Sequence, residues 1–289
     1  MNRMITYFKG WLLLIAGLGG AACTEIVDIE LDSTFTQLVV YGTITTDSSR
    51  HRVQLSTSSD YFSNAPSPGV SDAIVEIEFN DNLIRLEEHD TIPGLYITPA
   101  AFRGIPHVKY RLHVSQVDVN GDGTDETYDA ESTMPELPQL DSITLLYFLS
   151  PFLSGYQVLM YANDSSSREW YNFKMWKNRK LLTPKISDYF VQNDDFFNGT
   201  YIYGLPVGFV ADDEPEEELF PGDTITFELN SIEQAYYNFI IDAQLEIAGN
   251  NPLFSGPSAN IRSNIDNDAK GIFTAYSIGR ASVTLETPQ

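Results

Sequence analysis

The chain has 289 residues, in which 40 acidic side chains stand against 17 basic ones for a formal net charge of −23. A field of that sign repels polyanions, which excludes a sequence-reading nucleic-acid binder and electrostatic adsorption to anionic lipid. With 43% hydrophobic and 12% aromatic residues, the chain is too apolar to be a disordered acidic polymer and can fill one or two cores.

The first 22 residues have the order of an export signal: Arg3 and Lys9, an apolar run from Trp11 to Leu18, then small residues up to Cys23. That run is shorter than a spanning helix requires, and Glu25, Asp28 and Glu30 follow at once. Cys23 is the only cysteine, so no internal disulfide can form. Its place at the cut site predicts the acylated first residue of a bacterial lipoprotein, carrying palmitate or similar chains that hold it on a membrane. Residues 23–36 read as an acidic tether.

From 37 to 133 the pattern alternates with period two between turn residues. Strands are expected at 38–44, 52–56, 73–79, 83–86, 94–97, 110–114 and 127–132. In the third, Ala73, Val75, Ile77 and Phe79 share one face while Glu76 and Glu78 face water. Seven short strands in about 100 residues predict a sandwich of two antiparallel sheets. Pro135 and Pro138 make 134–141 a linker, since proline lacks an amide donor and restricts its predecessor.

A second β-rich domain is expected over 142–289, with strands at 142–149, 157–161, 169–176, 201–210, 224–229 and 271–285. One packed α-helix is expected over 231–248. Ser231 and Gln234 would form its capping box, Ile232, Tyr236, Phe239, Ile240, Ala243 and Ile247 its apolar stripe, and Gly249 its end.

The sharpest local motif is "DVNGDGTDETYD". Asp118, Asn120, Asp122, Thr124, Glu126 and Asp129 occupy the oxygen-ligand positions of a calcium loop of the EF-hand pattern, and Gly123 its turn position. The flanks read as strands, and a hairpin built on Asn-Gly and Asp-Gly turns gives the same string with no metal. A structural Ca2+ and a solvated turn both fit. The acidic run at 212–218 reads as an exposed loop, with a contact surface for a basic partner or divalent ions as the alternative.

Nucleophilic chemistry has little to draw on. His51, His89, His107 and His113 are the only histidines, and there is no Gly-x-Ser-x-Gly elbow, phosphate loop, His-Glu-x-x-His site or cysteine pair. Carboxylates are so abundant that no pair singles itself out. Aromatic residues are dense in the second half, and "VQNDDFFNGTYIYG" supplies Phe196, Phe197, Tyr201 and Tyr203 as a partner-binding surface, with core packing as the bland alternative.

The segments "LVVYGTI" (38–44), "VQLS" (53–56), "VSDAIVEI" (70–77) and "GLYITPAAFRGIPHVKYRLHV" (94–114), then "ELPQLDSI" and the C-terminal stretch between Ala235 and Ile278, resemble a family of Bacteroidetes outer-membrane lipoproteins known as domain of unknown function 4249 (DUF4249). The resemblance implies a mostly β fold, with an N-terminal immunoglobulin-like or carboxypeptidase-regulatory-like β-sandwich followed by a second β-rich domain. It also implies outer-membrane residence, a surface-export tag in Glu25, Asp28 and Glu30, and association with a TonB-dependent receptor. It brings no catalytic residue. The expectation is a non-catalytic accessory lipoprotein that binds or supports a TonB-dependent transporter or another outer-membrane complex. Direct capture of a glycan, peptide or metal complex is the alternative, and a carboxylate-dependent hydrolase the alternative of another class.

Overall fold

Alternating burial along Leu38–Thr45, in which Leu38, Val40 and Ile44 are sealed from solvent while Tyr41 is exposed, sets the pattern from which the fold is built. The computed structural model describes residues 36–58, 67–195, 199–249 and 261–286. The strands of the first half are β1 (Leu38–Thr45), β2 (Arg52–Thr57), β3 (Ile74–Phe79), β4 (Asn82–Arg85), β5 (Glu87–Glu88), β6 (Leu95–Ile97), β7 (Lys109–Val117) and β8 (Glu126–Thr133). Then come β9 (Gln139–Leu149), β10 (Ser154–Asn163), β11 (Trp170–Lys177), β12 (Lys180–Leu181), β13 (Phe190–Asn193), β14 (Tyr201–Ala211) and β15 (Thr224–Ile232). Helix α1 (Gln234–Gly249) and β16 (Lys270–Thr284) complete the described chain.

A nine-stranded sheet runs β12-β11-β15-β16-β1-β2-β6-β5, with β13 also paired to β11. Two smaller sheets, β4-β3-β7-β8 and β14-β10-β9, pack against it, and none of the three closes into a barrel among the described residues. The first core lies between the four-stranded sheet and β1, β2 and β6, and gathers Val40, Leu55, Ile77, Tyr110 and Val114. The second lies between the three-stranded sheet and β11 and β15, and gathers Val158, Met160, Phe173, Val210 and Phe227. Apolar sheet faces leave water only by covering one another, so each small sheet needs its share of the large one.

The 15-residue β16 joins the halves. From Lys270 to Tyr276 it pairs in parallel with β1, and from Ser277 to Thr284 antiparallel with β15. Its odd residues Phe273 and Ala275 enter the first core while Ala281 and Val283 pack on the second. The C-terminal end of the sequence therefore builds part of the first sandwich. Gly271, at φ +109°, permits the close approach of β1, since a Cβ there would meet the Val40 carbonyl oxygen at 1.9 Å. The 134–141 connector is shorter than its composition suggests, because residues 139–141 already belong to β9.

Helix α1 covers the opposite face of the large sheet. Tyr236 and Ile240 pack with Ile272 and Tyr276, each full burial of such a side chain being worth about 2 kcal/mol. The helix starts at Gln234, three residues later than the capping box predicts. Ser231 instead sits within β15, paired with Tyr171 on one side and Ser277 on the other, three residues ahead of the helix, and its buried hydroxyl reaches no helix amide. The Glu233 carbonyl accepts the amides of Tyr236 and Tyr237 in its place. Of the predicted stripe, Ile247 is exposed.

Candidate functional site

The outer face of the three-stranded sheet stands apart chemically. Ile143, Val158, Met160 and Val210 turn inward, and alternation turns Leu146, Phe148, Leu159, Tyr161 and Phe209 outward. Tyr201 and Tyr203, on the same sheet, are exposed, their rings 4.5 Å apart and Tyr203 82% accessible. No charged residue occurs from 142 to 163 or in β14. The hydroxyls of Tyr147 and Tyr201 donate to Asp212 (3.0 Å) and Asp141 (2.8 Å), carboxylates that push both phenols above the ordinary range and keep them neutral.

The hairpin joining β9 to β10 extends this face. Leu149, Phe152 and Leu153 are exposed at its end, Phe152 to 95%, and Leu146, Tyr147 and Phe148 behind them are exposed although they alternate between the two sides of the strand. A contiguous apolar surface of this kind marks an interaction site more often than it marks a monomer's ordinary exterior. Of the four aromatic residues singled out in the sequence, Tyr201 and Tyr203 lie on this face, while Phe196 and Phe197 lie outside the described residues. Cys23 and the tether up to residue 35 do too.

The Asp118 loop is held by its own side chains. The Asp118 carboxylate accepts the amides of Gly121 (2.7 Å) and Asp122 (3.1 Å) on one oxygen and that of Gly123 (2.8 Å) on the other. Asn120 accepts the Asp122 amide (2.9 Å), and Asp122 accepts that of Thr124 (2.8 Å), which lowers the Asp122 carboxyl below its usual range. Glu126 and Asp129 belong to β8, where Glu126 accepts the Tyr128 hydroxyl and Asp129 meets His113 at 2.8 Å. Among the described residues no group of three or more His, Cys, Asp or Glu side chains is placed to hold a metal ion.

The histidines are each committed. His51 is buried, with Nε2 3.1 Å from the Phe102 carbonyl, and burial lowers its pKa. His89 Nδ1 accepts the Thr91 amide, and His107 meets Glu136 at 3.2 Å.

An open polar cleft of about 520 Å3 lies between the 135–139 connector and the β10–β11 loop. Asp164 and Glu169 on its wall both receive the Tyr171 hydroxyl, Asp164 at 2.6 Å. One phenolic proton shared by two carboxylates makes at best a three-centre bond, and a proton on one carboxyl would complete the second contact. Burial raises Asp164 in that direction. Asp194, fully buried, accepts the Glu169 amide at 2.9 Å. Sequence reasoning missed this cluster because Asp164, Glu169 and Tyr171 face one another only through the turn between β10 and β11, and Asp194 joins them only through the β11–β13 pairing.

Fold and surface together define a mostly β protein with one packed helix, two sandwiches sharing a central sheet, and an uncharged aromatic face on the second. No helix among the described residues is long and apolar enough to cross a membrane. The family model for "Domain of unknown function (DUF4249)" matches residues 24–282, and the chain belongs to that family. No curated protein matches it.

Proposed function

We propose that the protein is a non-catalytic accessory lipoprotein, held on the outer membrane through acylated Cys23 and facing the cell exterior, that docks a TonB-dependent transporter. The observation that carries this reading is the uncharged face of Leu146, Phe148, Leu159, Tyr161, Tyr201, Tyr203 and Phe209, on a chain of net charge −23. Aromatic side chains are the usual anchors of protein interfaces, and here carboxylates stand only at the margins of the face, at Asp141 and Asp212. A lipid tether confines both partners to one plane and raises their effective concentration, so a modest contact area suffices. The first sandwich, immunoglobulin-like or carboxypeptidase-regulatory-like in this reading, is a spacer whose exposed strands carry paired charges.

The test is a photo-crosslinking residue at Tyr203 in cells that make the lipoprotein from its own operon. A covalent adduct to a transporter barrel, lost in a Leu146→Asp variant, is the expected outcome. Absence of any barrel adduct from Tyr201, Tyr203 and Leu146 positions alike would refute the docking face. Direct capture of a small polar ligand is a second reading, favoured by the cleft around Asp164, Arg168 and Glu169. Its check is a thermal-shift screen of glycans and peptides against wild type and Glu169→Gln.

A further inference from the structure

We propose that the end of the β9–β10 hairpin is a shallow membrane wedge, a second lipid contact that adjoins the transporter face, shares Leu146 and Phe148 with it, and is distinct from the Cys23 anchor. Three observations lead to a lipid occupant. The apolar residues at the tip surround it: Leu146, Tyr147, Phe148 and Leu149 alternate between the faces of the strand and are all exposed, with Phe152 at the turn. A protein partner covers one face of a hairpin, whereas an acyl layer meets every side at once.

The turn is also built to leave water cheaply. Pro151 has no amide hydrogen. The Ser150 amide donates to the Leu153 carbonyl at 2.9 Å, and the Ser150 hydroxyl accepts the amides of Leu153 (3.0 Å) and Phe152 (3.4 Å). Every backbone donor from 150 to 153 thus has a partner within the turn, so shallow entry at a lipid interface strips no water from an amide there.

Charge fixes the kind of bilayer and the depth. Nothing from 142 to 163 is charged, so no lysine or arginine draws the tip to anionic headgroups. The acidic loop begins beside it: Ala211 pairs with Gly155, the Asp212 amide donates to the Ser154 carbonyl (3.1 Å), and Tyr147 bonds Asp212. Asp213 and Glu214 follow in sequence. Carboxylates at that level stop deeper entry and repel anionic lipid, while exposed Tyr147, its ring 5.1 Å from that of the core-packed Tyr156, sits where interfacial tyrosines are favoured. The occupant is therefore the interface of a zwitterionic phospholipid leaflet.

The test uses the whole lipoprotein, purified from membranes and reconstituted into phosphatidylcholine–phosphatidylethanolamine vesicles, with Pro151→Cys labelled by an environment-sensitive fluorophore. Bromine-bearing acyl chains are expected to quench a label at 151 and to spare one at Asp81→Cys on the β3–β4 turn. In a Leu149→Ser, Phe152→Ser, Leu153→Ser background the quenching should fall about fivefold or more, with an unchanged melting temperature as the control for folding. Replacing part of the lipid by phosphatidylglycerol should weaken it. A label at 151 that behaves as in water, quenching that survives the triple substitution, or shielding found only when a barrel protein co-purifies would each overturn the wedge. Failure of the anchor reads out separately: Cys23 would then take up fluorophore and show it in the mass of the protein, whatever the tip does.

Discussion

The two small sheets pack on the same face of one large sheet, yet their outward faces have opposite chemistry. On the first, the cross-strand row Glu78–Arg111–Glu131 and the row Glu76–His113–Asp129 run across β3, β7 and β8, with Arg111 Nε 2.6 Å from Glu131 and His113 2.8 Å from Asp129. On the second, the equivalent rows read Leu146–Gln157–Phe209 and Phe148–Gly155–Ala211. Both faces contribute little to stability, since neither touches a core. The difference is one of association: paired charges keep a sheet face wetted and solitary, and an uncharged aromatic face is stable in water only at the cost of seeking cover.

The largest expected effect comes from breaking what the two halves share. Gly271→Ala should cost about 3 kcal/mol or more, because the new methyl must displace β1 at Val40. The measurement is urea unfolding followed through Trp170 and Trp176, which both lie on β11 in the other half. An unmoved tryptophan transition would show that the halves are independent and that β16 does not couple them. Next in size, Tyr203→Asp with Leu146→Asp should weaken partner capture in native membranes by about tenfold or more while leaving the unfolding midpoint in place. Equal loss from Arg111→Asp would dissolve the contrast between the faces.

A smaller effect concerns the joint between β8 and α1. Glu233 accepts the Ser132 hydroxyl (2.5 Å) and the Thr133 amide (2.9 Å), and burial raises its carboxyl above the ordinary value. The folded state therefore holds the proton at a pH where the unfolded chain has released it. The group's contribution is greatest below its unfolded pKa and declines as pH rises through the folded one. Glu233→Gln should flatten the difference in stability between pH 5 and pH 7, measured by chemical denaturation. A slope equal to wild type would show that other groups set it.

At the low end, Asp118→Ala should lower the melting temperature by about 2–4 °C through lost amide acceptors. With the loop held by its own side chains, millimolar calcium is expected to leave the wild-type melting temperature where it is. A rise in wild type that Asp118→Ala abolishes would make 118–129 a metal site. Smallest of all, Arg111→Ala should leave the midpoint essentially unchanged at any salt concentration, as exposed ion pairs usually do.

Most strands were legible because their alternation is strict; β1, β3 and β7 fall within a few residues of the expected bounds. The two-residue β5 and β12 and the four-residue β13 carry too short a pattern to announce themselves. Ser231 misleads because Ser-x-x-Gln is compatible with a cap or a strand end, and the ladder to Tyr171 and Ser277 decides between them. The change of partner at Tyr276 and Ser277 coincides with a switch from six consecutive buried residues, 272–277, to looser alternation, but nothing in the sequence names the new partner. Likewise, "LLYFLSPFL" reads as core until β9 is seen as the edge of a three-stranded sheet. Local periodicity reports which way a side chain points along its own strand; what lies opposite is decided by pairings between distant segments.

The pairing of β1 has a mechanical consequence. Chain tension arriving from the N-terminal side enters at Leu38, along the axis of a strand gripped by seven residue pairs to β16 and six to β2. Pulled lengthwise, those hydrogen bonds share the load and yield together in shear, whereas a strand peeled from its end would lose them one at a time. Under any pull on that end, β1 leaves only when the pairs on both of its sides give way together, and the rupture rate of this seam sets how long the fold lasts.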